Sequence, residues 1–135
     1  MPPTRTSRLR LWGPVAIYMA VLFALSAQPV LPSPPGLDDK TEHFTAYGGL
    51  ALVTLRATSG GTLAGVTMGA AAGAWAIASA YGATDEFHQS FVPGRDSDIL
   101  DWRADTLGAG LAAGAMWAFG IISRSRRSRG VSPTS

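Results

Sequence analysis

The chain has 135 residues, of which 47% are hydrophobic and only 15% charged, against roughly a quarter charged in ordinary soluble domains. Eleven basic and nine acidic side chains leave a formal charge of +2, too little to imply a nucleic-acid partner, and basic termini are accounted for by membrane topology and anionic lipid. No cysteine is present, which excludes disulfides and thiolate chemistry.

In chain order, Arg5, Arg8 and Arg10 precede an uncharged stretch at 11–37. A basic leader and an apolar run are common to anchors and secretory signals. "LWGPVAIYMAVLFALSAQPVL" is longer than the roughly 7–15 apolar residues of a signal, so it is read as a retained helix over about 11–31, ending near Pro29 and Pro32. A second helix is expected over about 40–57, with Asp38 or Asp39 as its N-cap. Its apolar part, "HFTAYGGLALVTL", is short and needs a polar first turn. Lys40, His43 and Tyr47 fall at i, i+3 and i+7 and so share one face.

A third helix is expected over about 61–89. Gly61, Gly65, Gly69 and Gly73 recur every four residues, predicting a stripe for close packing within the chain or against a second copy in a homo-oligomer. The far end of this helix opens a dense polar segment, "GATDEFHQSFVPGRDSD", residues 82–98. Tyr81, Asp85 and His88 share a face there, with Glu86 and Gln89 on its edge; "FVPGR" then turns the chain. A fourth helix over about 98–123 repeats Asp98, Asp101 and Asp105 on the face that continues through Gly108 and Ala112. Residues 124–135 are expected to be a disordered basic tail, and residues 1–10 a basic N-terminal segment.

Four crossings would place Arg5, Arg8, Arg10, Arg56, Arg124, Arg126, Arg127 and Arg129 on one side. Lys40, Arg95, Arg103 and all nine acids would lie opposite. The basic side should be cytoplasmic. The expected fold is therefore all-α: an integral membrane bundle of four transmembrane helices, both termini cytoplasmic, in a bacterial plasma membrane. The two acidic segments, 38–42 and 85–105, would meet on its outer face.

Such a meeting has a physical cause. A lone ionised carboxylate at membrane depth costs about 2.5–3.5 kcal/mol on insertion scales, so Asp101 and Asp105 should find partners. Carboxylates exceed the cations available to them, which calls for a bound cation, a shared proton or contact with water. Two histidines among carboxylates are the ligand types of Zn²⁺ or Mn²⁺, although D-E-x-H matches no established metal signature, and the metal stays unassigned. The candidate catalytic residues are His43, Glu86, His88, Asp98 and Asp101. Either histidine would serve as general base or metal ligand, Glu86 as second acid/base, and the aspartates as ligands or orienters. Lys40, Tyr47, Tyr81, Asp85, Gln89 and Arg95 are the candidate binding residues, Lys40 and Arg95 for a phosphate or carboxylate. The plainer reading makes Asp38, Asp39 and Asp96 caps or solvated loop, Tyr47 and Tyr81 members of an aromatic belt with Trp102, and the remainder an ion network that sets helix register.

The pairing of "DKTEHFTAYGGLAL" with "YGATDEFHQSFVPGRDSDILDWRADTLG" resembles the VanZ-like family, small bacterial membrane proteins named for a teicoplanin-resistance protein. The resemblance covers residues 38–115 and rests on Lys40, His43, Phe44, Tyr47, Asp85, Glu86, Gln89, Pro93, Arg95, Asp98, Asp101 and Gly108. Asp105 departs from it, standing where the family often has Asn. The resemblance implies low-level glycopeptide resistance without change to the peptidoglycan precursor terminus, and it supplies no mechanism for the site. Two functions follow as expectations: an enzyme acting on an envelope lipid or lipid-linked precursor, or a non-catalytic module that binds a lipid head group or fixes helix packing. Proton-coupled transport is a third, weakened by the lack of charge deeper in the helices.

Overall fold

In the computed structural model, residues 5–29, 36 and 38–129 are described. They form four helices and no strand: α1 (Arg5–Ser26), α2 (Asp39–Thr58), α3 (Met68–Gln89) and α4 (Ile99–Arg129). α2 packs against each of the other three, α3 also packs against α4, and α1 lies against α2 and α3.

Local chemistry sets the helix starts. Asp38 accepts from the Thr41 amide at 2.7 Å, and Thr67 accepts from the Ala70 amide at 3.1 Å, each satisfying a donor that the first helical turn leaves free. Asp98 does the same for α4 through the Leu100 amide at 2.8 Å. Gly60 and Gly61 end α2 with φ of +65° and +76°, a backbone reversal that glycine makes without a Cβ penalty.

That reversal corrects the expected third helix. α3 starts at Met68, so Gly61 and Gly65 sit in the α2–α3 linker and share no helical stripe with Gly69 and Gly73. The expected homo-oligomer surface is thus not one helix face. Close approach falls on other glycines. A Cβ at Gly108 would strike the Phe44 backbone, and one at Gly82 would stand 2.7 Å from Asp105 Oδ2. The α2–α4 and α3–α4 contacts therefore need bare backbone at these two points.

The core is small and layered. Tyr47, Leu50, Ala51, Ala78 and Ala109 form one cluster with Val15 of α1, and Leu55, Val66, Ala71, Ala74 and Ala113 form a second. Large apolar side chains elsewhere face outward, among them Ile17, Val21, Phe23, Leu107, Leu111 and Phe119. Exposed apolar surface of that extent belongs in contact with lipid or protein rather than water. Ser7–Ser26 and Ile99–Arg127 are long and apolar enough to cross a membrane.

Two end regions separate by charge. Arg56 Nη1 donates to the Arg10 carbonyl at 3.2 Å, and Arg124 Nη1 donates to Leu63, Ala64 and Val66 carbonyls at 3.2–3.4 Å. These contacts gather the start of α1, the end of α2 and the last turns of α4 at a basic end. Residues 124–129 are helical, which corrects the expected disordered tail; residues 130–135 lie outside the described residues. Arginine is a good helix former, and four of these six residues are arginine.

Candidate functional site

At the opposite end, the first turn of α2, the last turns of α3 and the start of α4 bring the two acidic segments together. Lys40 Nζ donates to Asp98 Oδ2 at 2.8 Å and also pairs with Asp101. The Asp98 carboxyl is held below the usual carboxylate range by the Lys40 ammonium and then by the Leu100 amide. Asp38 is likewise lowered, first by its hydrogen bond with Thr41.

Glu86 binds the loop that carries Asp98: its Oε2 accepts from the Asp98 amide at 2.9 Å and from Ser97 Oγ at 3.4 Å. Glu86 thereby ties the end of α3 to the start of α4. Deeper in, His43 Nδ1 lies 2.9 Å from Asp105 Oδ1. With Nδ1–H donating to the carboxylate, the pair has the arrangement that orients metal-bound and general-base histidines alike. The His43 ring is parallel to that of Tyr47, with centroids 6.3 Å apart. Asp85 Oδ2 accepts from Gln89 Nε2 at 3.1 Å.

The helical spacing of the sequence explains most of this convergence. Lys40 and His43 lie one turn apart on α2, Asp101 and Asp105 one turn apart on α4, and the two helices face each other there. Asp105 has the deepest position, 0% exposed, and fits because Gly82 opposite it has no side chain. It lies outside the candidate catalytic set, and its i+4 spacing from Asp101 is the signal in the sequence that points to it. Asp39, read as a cap or solvated loop, also lines the site, as does Glu42.

Two expected site residues lie apart from this group. His88 stacks on Phe23 of α1, ring centroids 4.3 Å apart, and Tyr81 donates its hydroxyl to the Met19 carbonyl at 2.6 Å. Both face α1 because the last two turns of α3 present one side to α4 and another to α1. Trp102, expected in an aromatic belt, donates Nε1 to the Ser79 carbonyl at 3.0 Å.

Two adjoining cavities open at this end. One of about 150 Å³ is lined by Glu42, His43, Tyr47, Asp85, Gln89 and Arg95 together with Leu22, Leu25 and Ala46. The other, of about 280 Å³, is lined by Lys40, Asp96, Asp98, Asp101, Gln89 and Arg95. Arg95 belongs to both, and among the described residues no acidic side chain pairs with it; its Nε is buried without a partner. A third, apolar groove of about 560 Å³ runs between α1 and α2 along Pro14, Ile17, Val21 and Val53, and shares Leu22, Leu25 and Ala46 with the first cavity.

No curated protein and no solved structure matches the chain. The family model described as VanZ/LLP1 matches residues 11–120, a stretch that reaches into all four helices and includes every residue of the polar cluster, and the chain belongs to that family.

Proposed function

We propose that the chain is a multi-pass protein of the bacterial plasma membrane whose four helices all cross, with the basic end cytoplasmic and the polar cavities facing outward. We infer that these cavities bind the anionic head group of an envelope lipid or lipid-linked precursor. The observation that carries this reading is the continuity of the apolar α1–α2 groove with the polar cavity through Leu22, Leu25 and Ala46. A lipid needs such a pair of surfaces, one for the tail and one for the head. Arg95 is the head-group residue: a planar guanidinium without a carboxylate partner, between two cavities, suits bidentate contact with a phosphate. Lys40 is engaged with Asp98 and Asp101 and serves mainly to hold α2 to α4.

A purely structural network accounts less well for the site. Such a network gains from satisfying its members, whereas Glu86 Oε1, Asp105 Oδ2 and Arg95 Nε are all buried without partners. Turnover is a second reading, favoured by the His43–Asp105 pair beside the cavity, with His43 as general base and Glu86 as second acid/base. Glycopeptide tolerance, expected from the resemblance, would then be an envelope effect of holding or changing such a lipid.

The test is lipid retention by purified full-length protein, read by native mass spectrometry with phosphatidic acid and phosphatidylcholine of identical chains. Phosphatidic acid should be preferred, and Arg95→Ala should weaken its retention about tenfold, the loss of one charge-assisted contact. Equal retention of both lipids, unaffected by Arg95→Ala, would overturn the reading. Orientation is tested separately. The chain has no cysteine, so single cysteines at positions 40 and 56 report their own side; labelling from the same side would overturn the crossing of α2.

A further inference from the structure

Three ionisable side chains meet inside the bundle where water and counter-charge are scarce. One ring nitrogen of His43 and one carboxylate oxygen each of Glu86 and Asp105 lie within 4.8 Å of one another. Glu86 is 6% exposed and Asp105 0% exposed. Each carboxylate is anchored by one oxygen, Glu86 Oε2 on the Asp98 amide and Asp105 Oδ1 on His43. Each keeps its second oxygen buried and unpartnered.

Two anchored carboxylates with free inner oxygens constitute an unmet demand for positive charge. Lys40 is already paired with Asp98 and Asp101. One proton on His43 would offset one carboxylate and leave the other bare. A divalent cation offsets both and also accepts a lone pair from each carboxylate and from the imidazole, the His43–Asp105 hydrogen bond giving way to shared coordination of the ion. We propose that His43, Glu86 and Asp105 hold a divalent transition-metal ion.

Donor chemistry narrows the ion. Carboxylates alone suit Mg²⁺ or Ca²⁺, but an imidazole among them favours Mn²⁺ or Zn²⁺. An ion with ligands at about 2.0–2.2 Å holds them roughly 3–3.5 Å apart, so three atoms within 4.8 Å of one another need close by no more than about 1.8 Å. Adjustment of the three side chains about their own torsions supplies that. Asp39, His43 and Asp101 also stand within reach of one ion, but Asp39 is exposed and Asp101 already pairs with Lys40. The site stands independently of what fills the cavities.

The experiment uses chelator-treated full-length protein in detergent, without added lipid, titrated with Mn²⁺ alone and with Zn²⁺ alone. One ion per chain should bind, and electron spin-echo spectra of the Mn²⁺ complex should show coupling to an imidazole nitrogen. Glu86→Gln and Asp105→Asn should each weaken binding at least about tenfold, while Asp39→Asn should leave it unchanged. No binding by the wild-type chain overturns the proposal, as does binding that depends on Asp39 but survives Glu86→Gln and Asp105→Asn. Should those two variants fail to fold, Asp39→Asn and Asp101→Asn decide: Mn²⁺ binding with nitrogen coupling that survives both substitutions supports the site, and its loss in them overturns it. Lipid retention plays no part in these readouts, so this test and the head-group test fail separately.

Discussion

At the basic end of the bundle, Arg124 donates to three linker carbonyls and Arg56 to the Arg10 carbonyl, so these cations close backbone ends. At the acidic end, Lys40 holds Asp98 and Asp101, yet Glu86, Asp105 and Arg95 keep buried atoms unpaired. The basic end ties α4 to the α2–α3 linker and α2 to α1, and the acidic end ties α2 to the start of α4. The difference is that polar groups at the basic end complete the fold, while those at the acidic end exceed what the fold requires. Buried polar groups left open in this way stay only where something else engages them.

The sharpest attempt to break this contrast lies between the two ends. Gly108→Leu drives a side chain into the Phe44 backbone, where nothing flexible gives way. It should cost more than the ~1–3 kcal/mol usual for overpacking and abolish monodisperse protein on size-exclusion chromatography. Gly114→Ala, nearer the basic end and with nothing within 4 Å of its added Cβ, should be indistinguishable from wild type in thermal unfolding.

Lys40→Met comes next, because it leaves the buried Asp101 without its cation. A fully buried pair would lose about 3–5 kcal/mol; with Lys40 42% exposed, on the order of 1–3 kcal/mol is expected from unfolding midpoints. Asp101→Asn added to Lys40→Met should recover part of that loss. Arg124→Ala at the basic end should cost less, about 1 kcal/mol, since its partners are neutral carbonyls near solvent and water replaces the donor. A larger loss from Arg124→Ala than from Lys40→Met would erase the proposed difference between the ends.

The smallest effect is a pH dependence. Asp98 has its carboxyl lowered in the folded protein, so its contribution is complete above the unfolded value of about 4 and is lost as pH falls through the lower folded value. Wild type should therefore lose slightly more thermal stability than Asp98→Asn between pH 5 and the acid limit of the assay. Identical acid profiles would remove the Lys40–Asp98 pair from the account of the acidic end.

The sequence alone made the helical class legible, because long uncharged runs between charge clusters leave few other solutions. It also made legible the shared faces of Lys40 with His43 and of Asp98 with Asp101 and Asp105, since helical spacing is a local property. Asp38 as N-cap was readable for the same reason. Spacing misled where two structures compete for the same residues: a four-residue glycine repeat is a helix stripe only if the segment is helical, and Gly60 and Gly61 reverse the chain instead.

Only the tertiary structure decided which faces meet. A spacing places Tyr81, Asp85 and His88 together, but packing turns His88 to Phe23 and Tyr81 to Met19, whereas Asp85 lines the cavity. The pairing of Asp105 with His43, across 62 residues, depends on how near α4 comes to α2 and α3. That distance is set by the missing side chains at Gly82 and Gly108, a steric condition that belongs to pairs of helices and is written in none of them singly.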